Sequence, residues 1–182
     1  MTYQKKDYPV SAVRRFLEPG PVVLISTQWK TKTNIMTMAW QTVLEFSPSL
    51  VGLMISGANH TFHMLKQSRG CVINIPTEDM IDKIIDIGTS TGSEIDKFEA
   101  FGLTATASEL IDAPSIAECY ANFECKLYDD VMVDRYNFFI MEVVKAKVAA
   151  SPKYPKTVHY RGNGIFMHSG KNVFHSEKLR NM

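Results

Sequence analysis

The sequence predicts a mostly β domain, an antiparallel barrel with two or three helices at its margins. Three observations carry this. Cys119, Ala121, Phe123, Cys125 and Leu127 alternate with Tyr120, Asn122, Glu124, Lys126 and Tyr128, the period-two pattern of a strand with one buried face. Short apolar runs bounded by turn residues recur along the chain and give seven or eight strands. Most of these runs follow one another directly, without the regular strand–helix alternation that a doubly wound α/β fold requires.

In chain order, Ser11 can cap a short helix with Ala12, Val13, Phe16 and Leu17 on its apolar face, ended by Pro19-Gly20-Pro21. Val22 to Ile25 is a continuous aliphatic run, predicting a strand buried on both sides. Trp29 to Thr33 is polar enough for a turn. Ile35 to Val43 is the next predicted strand, Phe46-Ser47-Pro48-Ser49 a break, and Leu50 to Ile55 a third strand in which Gly52 marks a close backbone approach. Asn59 has the character of an N-cap for a helix over Thr61 to Arg69, with Gly70 placed to cap its C-terminus.

Cys71 to Ile75 reads as another buried strand, stopped by Pro76. Thr77 caps a second helix whose stripe is Ile81, Ile84 and Ile85 and which Gly88 ends. Residues 88 to 118 form a long Ser-, Thr- and Gly-rich connection, a kind that in a compact domain is usually functional. Tyr136 to Val148 is a long strand with its alternation broken at Val143-Val144, the mark of a bulge. Ile165 to His168 and Val173-Phe174 flank a turn at Ser169-Gly170-Lys171-Asn172.

The 182 residues make a single domain large enough to bury a core without staples. A net charge of +1 gives no electrostatic case for nucleic acid or an anionic membrane surface. No run has the length of a membrane span, and Met1 to Val10 is too polar for a secretory signal. Cys119 and Cys125, on one predicted strand, would be about 20 Å apart, far beyond the roughly 7 Å that a disulfide allows. That spacing, with no CxxC, predicts a reducing, cytoplasmic setting.

The chain lacks a P-loop, a dinucleotide-binding glycine fingerprint and a nucleophile elbow; Gly162-Asn163-Gly164 is not such a fingerprint. His60 and His63 sit three apart on a helix without further ligands nearby, so no metal site is expected. Glu124 and Glu142 read as solvated strand charges. Two segments have chemistry worth weighing. Asn59-His60-Thr61 offers unpaired N–H groups at a helix N-terminus, suited to a phosphate, although an ordinary Asn cap is the commoner case. On the strand before it, Met36, Met38 and Trp40 point one way and Ile35, Thr37 and Ala39 the other. The small Thr37–Ala39 edge would let a planar ring lie against the backbone.

These pieces together, with Gly20-Pro21-Val22-Val23-Leu24-Ile25-Ser26-Thr27, Asn34 to Trp40, Ser47-Pro48, Asn59-His60-Thr61 and Val72-Ile73-Asn74-Ile75-Pro76, resemble the flavin reductase-like family, closest to its flavoredoxin-like branch. The similarity runs from the first strand to Asp96-Lys97-Phe98. The resemblance implies an FMN-binding split β-barrel over residues 1–182 and a homodimer with its flavin near the dimer interface. It implies that Asn34, Met36, Thr37, Met38, Ala39 and Trp40 line the flavin. Ser56, Asn59, His60 and Thr61 would hold the ribityl and phosphate groups, and Ser93 and Lys97 would approach from the long loop. Many relatives place Arg where this chain has His60, so any phosphate contact there would depend on pH.

The implied activity is that of an FMN flavoprotein oxidoreductase moving hydride or electrons from a reduced nicotinamide or another donor. The cofactor supplies the chemistry, which explains why no acid–base triad is present. NAD(P)H and a redox protein are the expected partners. The alternatives are a flavoredoxin-type electron carrier, a non-catalytic flavin-binding sensor, and an interaction barrel without cofactor.

Overall fold

The computed structural model describes residues 20–172, so the helix expected from Ser11 and the strand expected at Val173-Phe174 lie outside the described residues. The strands are β1 (Val23–Trp29), β2 (Lys32–Met38), β3 (Gln41–Phe46), β4 (Ser49–Met54), β5 (Gly70–Ile75), β6 (Ala105–Thr106), β7 (Ser115–Ile116), β8 (Ala121–Asp129), β9 (Phe138–Val148), β10 (Val158–Gly162) and β11 (Ile165–His168). The helices are α1 (His60–Ser68), α2 (Ile81–Thr89), preceded by a 3₁₀ turn at Glu78–Met80, and the single turns α3 (Lys97–Ala100) and α4 (Val133–Tyr136). No helix among the described residues is long and apolar enough to cross a membrane.

Seven strands form one antiparallel sheet in the order β2-β1-β5-β8-β9-β4-β3, while β6–β7 and β10–β11 stand as separate pairs. The sheet rolls up. Val23 and Ile25 of β1, Met38 of β2, Ile73 of β5, Leu53 of β4 and Phe139 and Met141 of β9 share one buried cluster, which brings side chains from near both ends of the strand order together. Phe62 and Leu65 of α1 join the same cluster. Val22, just ahead of β1, and Leu24 on the opposite face of β1 join a second cluster with Ile84 and Ile87 of α2, Phe98 and Leu103. The Val22–Ile25 run is therefore buried on both sides as expected, each fully buried aliphatic side chain contributing about 2 kcal/mol.

The predicted single strand from Ile35 to Val43 is two strands. The chain leaves the ladder at Ala39-Trp40, where the Trp40 carbonyl accepts a hydrogen bond from Met54 N (3.0 Å). The two halves, β2 and β3, lie at opposite edges of the sheet. Local propensity reads straight through this point, and only the closing of the barrel breaks it.

Gly52 does mark a close approach: a Cβ there would fall 2.2 Å from the ring of Phe138 on β9. The bulge at Val143-Val144 is present, since Glu124 pairs with Lys145 and Cys125 with Val143, leaving Val144 as the extra residue. Four details differ from expectation. Cys119 lies ahead of β8 rather than on it. The cap of α1 is Arg69, held in the left-handed region at φ 57°, with Gly70 already in β5. Helix α2 buries Ile84 and Ile87 and continues through Gly88, while Ile85 is exposed. A hairpin that was not expected, β10–β11, turns at Asn163-Gly164, both with positive φ (55° and 74°), while the strand expected beyond the turn at Ser169 to Asn172 lies outside the described residues.

Glu124 is also not solvated. It is buried, and its carboxylate accepts hydrogen bonds from the backbone N–H groups of Glu109 and Leu110 at 2.7–3.1 Å. Residues 105–116 fold over that face of β8, which periodicity alone assigns to solvent. They are tied down at Asn74 as well, whose Oδ1 accepts from Ile116 N (3.0 Å) and from Asn122 Nδ2 (2.8 Å).

Candidate functional site

Two adjoining features on either side of β2 make up the candidate site. The first is centred on Asn34. Its Nδ2 donates to the Thr61 hydroxyl in the first turn of α1 (2.7 Å), and both residues are buried. Its Oδ1 is buried without a partner among the described residues. A Cβ at Gly92 would sit 1.9 Å from that oxygen, so the loop after α2 closes over Asn34 only because residue 92 is glycine. An orphaned buried acceptor is costly and rare, and it is a place where a ligand hydroxyl or N–H would be favoured.

The N-terminus of α1 lies alongside. Asn59 has the extended backbone of an N-cap (φ −80°, ψ 137°), yet its side chain makes no capping bond. Of the first-turn N–H groups, that of Phe62 donates to Asn59 O (3.0 Å), and those of His60 and Thr61 stand at the positive dipole end without a side-chain cap. Ser56 is turned to its own loop, its Oγ accepting from Ala58 N (3.3 Å). His60 is half-buried at the start of the helix.

The loop that carries Gly92 is built by its own hydroxyls. The Thr91 and Ser93 hydroxyls lie 2.9 Å apart, and Asp96 caps α3 by accepting from Phe98 N (2.9 Å). Lys97 is buried, and its ammonium donates to the carbonyls of Ile87 (2.7 Å) and Ser90 (2.9 Å) at the C-terminal end of α2. Burial pulls its pKa down to about 8. Cations are favoured at a helix C-terminus; Lys97 thus fixes the turn from which Thr91 to Ser93 emerge.

The second feature is a cleft of about 400 Å³ on the outer face of β2. Val22, Thr37 and Ala39 form its floor, Ile84, Ile85, Gly88 and Thr89 of α2 one wall, and Tyr160, Gly164 and Phe166 of the last hairpin the other. The Thr37 hydroxyl donates to Ile84 O (2.7 Å), and a Cβ at Gly88 would lie 3.3 Å from Cβ of Thr37, so α2 sits close on the strand. The rings of Tyr160 and Phe166 are 5.0 Å apart at 47°.

The alternation along β2 therefore divides the expected residues. Thr37 and Ala39 face the cleft, whereas Met38 is buried in the barrel interior and Met36 packs against the same cluster. Trp40 is half-exposed at the break between β2 and β3. Asn34 and Thr61 are brought together, with Gly92 against Asn34; Ser56 and Asn59 stay at the surface. Sequence reasoning missed Gly92, the Ile85–Thr89 wall and the Tyr160–Phe166 hairpin. The Asn163-Gly164 pair between Tyr160 and Phe166 was a readable hairpin signal, but nothing local ties that hairpin to β2.

Residues 14–164 match the sequence profile of the flavin reductase like domain. A protein of Archaeoglobus fulgidus is 33% identical over 113 residues, which cover 62% of this chain and 64% of that relative, so the match spans just under two thirds of its length. Among solved structures, flavoredoxin of Desulfovibrio vulgaris (Miyazaki F) superposes with a TM-score of 0.82 at 21% identity over 100% of both chains. An FMN-binding domain of a flavin reductases-like enzyme from Shewanella baltica does so with a TM-score of 0.79 at 24% identity, over 92% of this chain and 95% of that one. At these identities the likeness shows the fold: a mostly β, antiparallel split barrel.

Proposed function

The chain belongs to the flavin reductase-like domain family, and on that premise we propose that it is an FMN-binding flavoprotein oxidoreductase. The observation that supports this best is the Asn34–Thr61 pair beside the uncapped N-terminus of α1, with the Asn34 acceptor buried and unpartnered. These residues fit a polyol phosphate. The Thr61 hydroxyl accepts from Asn34, which leaves its own proton to donate; Asn34 Oδ1 is left to accept from a ligand hydroxyl; the N–H groups of His60 and Thr61 suit a phosphate. Thr37, Ala39 and Trp40 would form the wall for the ring, and Ser93 would approach from the loop that Lys97 fixes.

Bound FMN would supply the hydride or electron transfer. The chain's part is to hold the phosphate end, to keep the ring side dry with Val22, Ala39, Ile84 and Phe166, and to present the cleft to a reaction partner. The homodimer belongs to the same reading. Edge strand β3 carries Val43, Leu44 and Phe46 at 63%, 43% and 88% exposure, an apolar edge that a second copy would cover.

The test is FMN titration followed by quenching of flavin fluorescence. Wild type is expected to bind, and Thr61→Val to bind about tenfold more weakly, as for loss of one hydrogen bond to a charged group. An unchanged dissociation constant would remove Thr61 from the site. Light scattering of the wild type and of Phe46→Glu tests the dimer: the first should have twice the monomer mass, and the second should be shifted toward monomer.

A further inference from the structure

Cys71 of β5 and Cys125 of β8 stand directly opposite one another in the β5–β8 ladder. Both side chains turn into the barrel interior, where they share one buried cluster with Val23, Leu53 and Phe139. Residues paired in this way have Cα atoms about 4.5–5.5 Å apart, inside the roughly 4.4–6.8 Å range of disulfides. Their Cβ atoms, at about 4.5–5.5 Å, must close by about 1 Å to reach the ordinary disulfide separation. Cys119 is placed elsewhere: it lies ahead of β8 and packs in the second cluster, with Met80 and Ile116.

The pair is shielded but not rigidly held. Both thiols are fully buried, and contact with the Cys125 thiol, together with burial, holds the Cys71 thiol well above the ordinary thiol pKa. The reactive thiolate is therefore scarce while the barrel is shut. The ladder is broken at the same place, however. The β8–β9 register shifts between Glu124 and Cys125, with Val144 as the extra residue, so β8 lacks regular support on that side just where it carries Cys125. The Cys125 thiol itself donates within its own strand, to Phe123 O (3.3 Å).

We propose that Cys71 and Cys125 are a site of oxidative modification, a dithiol that a small peroxide, admitted by local opening at the bulge, closes to a cross-strand disulfide that stiffens the centre of the sheet. One thiol takes an oxygen from hydrogen peroxide, becoming a sulfenic acid and releasing water. The second thiol then displaces the hydroxyl as another water, and the S–S bond forms. Two thiols and one peroxide give one disulfide and two waters, the same two electrons oxidising the sulfurs and reducing the peroxide. The bond joins neighbouring strands in the middle of the seven and closes a loop containing α2, the 88–118 connection and the β6–β7 pair. A cross-link over a long loop restricts the unfolded chain most. None of this chemistry depends on a bound flavin.

The test treats the full-length protein, its three thiols reduced, with hydrogen peroxide in buffer and in sub-denaturing urea. Catalase then stops the reaction, and the protein is unfolded in N-ethylmaleimide. Intact mass is expected to show one blocked thiol in place of three, and digestion without reductant a peptide joining Cys71 to Cys125. Closure should be at least about fivefold faster in mild urea, because it waits on opening. The oxidised protein should melt roughly 5–10 °C higher and return to its starting midpoint after reduction in urea. Cys119→Ala should respond as wild type does, whereas Cys71→Ala and Cys125→Ala should show no rise. If either core variant does not fold, the joined peptide and the melting of the wild type decide between the outcomes by themselves. Three thiols still blocked after peroxide in urea, a joined peptide that contains Cys119, sulfinic acid at Cys71 and Cys125 without a joined peptide, or a joined peptide with no rise in midpoint would each overturn the proposal.

Discussion

The side-chain amide of Asn34 donates to the hydroxyl of Thr61 across 2.7 Å, and this one bond joins an edge strand of the barrel to the first turn of α1. Both groups are buried, so neither can fall back on water. Thr61→Val should strand the Asn34 amide as well as its Oδ1 and cost about 1–3 kcal/mol. Urea unfolding of both single variants and of the Asn34→Ala/Thr61→Val double variant gives the coupling. The double variant is expected to be less destabilised than the sum of the singles, and strict additivity would show that the bond contributes nothing.

Gly92→Ala should do more damage than a loop substitution ordinarily does. The new Cβ would meet Asn34 Oδ1 at 1.9 Å, and the loop must lift away. The expected cost is about 1–3 kcal/mol, together with weaker FMN binding. Adding Asn34→Ala to Gly92→Ala should recover much of the stability and none of the FMN affinity. Chemical denaturation and flavin fluorescence together separate these outcomes.

Glu124→Gln should free the segment over β8. The carboxylate accepts from the N–H groups of Glu109 and Leu110, and an amide can serve only part of that demand. A loss of about 1–3 kcal/mol is expected, with new cleavage between residues 107 and 113 in limited proteolysis. Unchanged cleavage would show that the Asn74 bonds hold the segment unaided.

Lys97 sets a pH dependence with a definite sign. Burial lowers its pKa in the folded protein to about 8 from the ordinary 10.5. Between these values the unfolded chain binds more protons, so this group makes the protein more stable as pH rises from 8 to 10.5. Lys97→Met should remove that rise, seen as a flatter denaturation midpoint over the range. Its stability below pH 8 should be less affected, because the hydrogen bonds lost are offset by the desolvated charge removed.

Where the sequence was informative, a single strand held the answer. The Val22–Ile25 run, the close approach at Gly52 and the extra residue at Val144 are all written in local pattern, and all three appear. Within the site, the Thr37 and Ala39 side chains were assigned to one face from alternation alone, and both line the cleft. What was illegible depends on partners distant in sequence. Glu124 looked solvated because nothing near it announces the segment 15 residues upstream that bonds to it. Ile35 to Val43 looked continuous because the barrel's closing, not propensity, parts it at Ala39-Trp40. Gly92 looked like any loop glycine until Asn34, from a strand 58 residues earlier, was placed against it.

The parting at Ala39-Trp40 also sets where this barrel can give. Every other boundary between neighbouring strands of the seven is a ladder of hydrogen bonds, but β2 and β3 are joined by covalent chain rather than by a ladder. Separating those two edges breaks few hydrogen bonds, so the shell is most compliant along that line, with Ala39 at its end and the cleft beside it. A ring entering against Ala39 would act as a wedge in the one joint built without rivets, and amide exchange along β2 and β3 should slow when the wedge is in place.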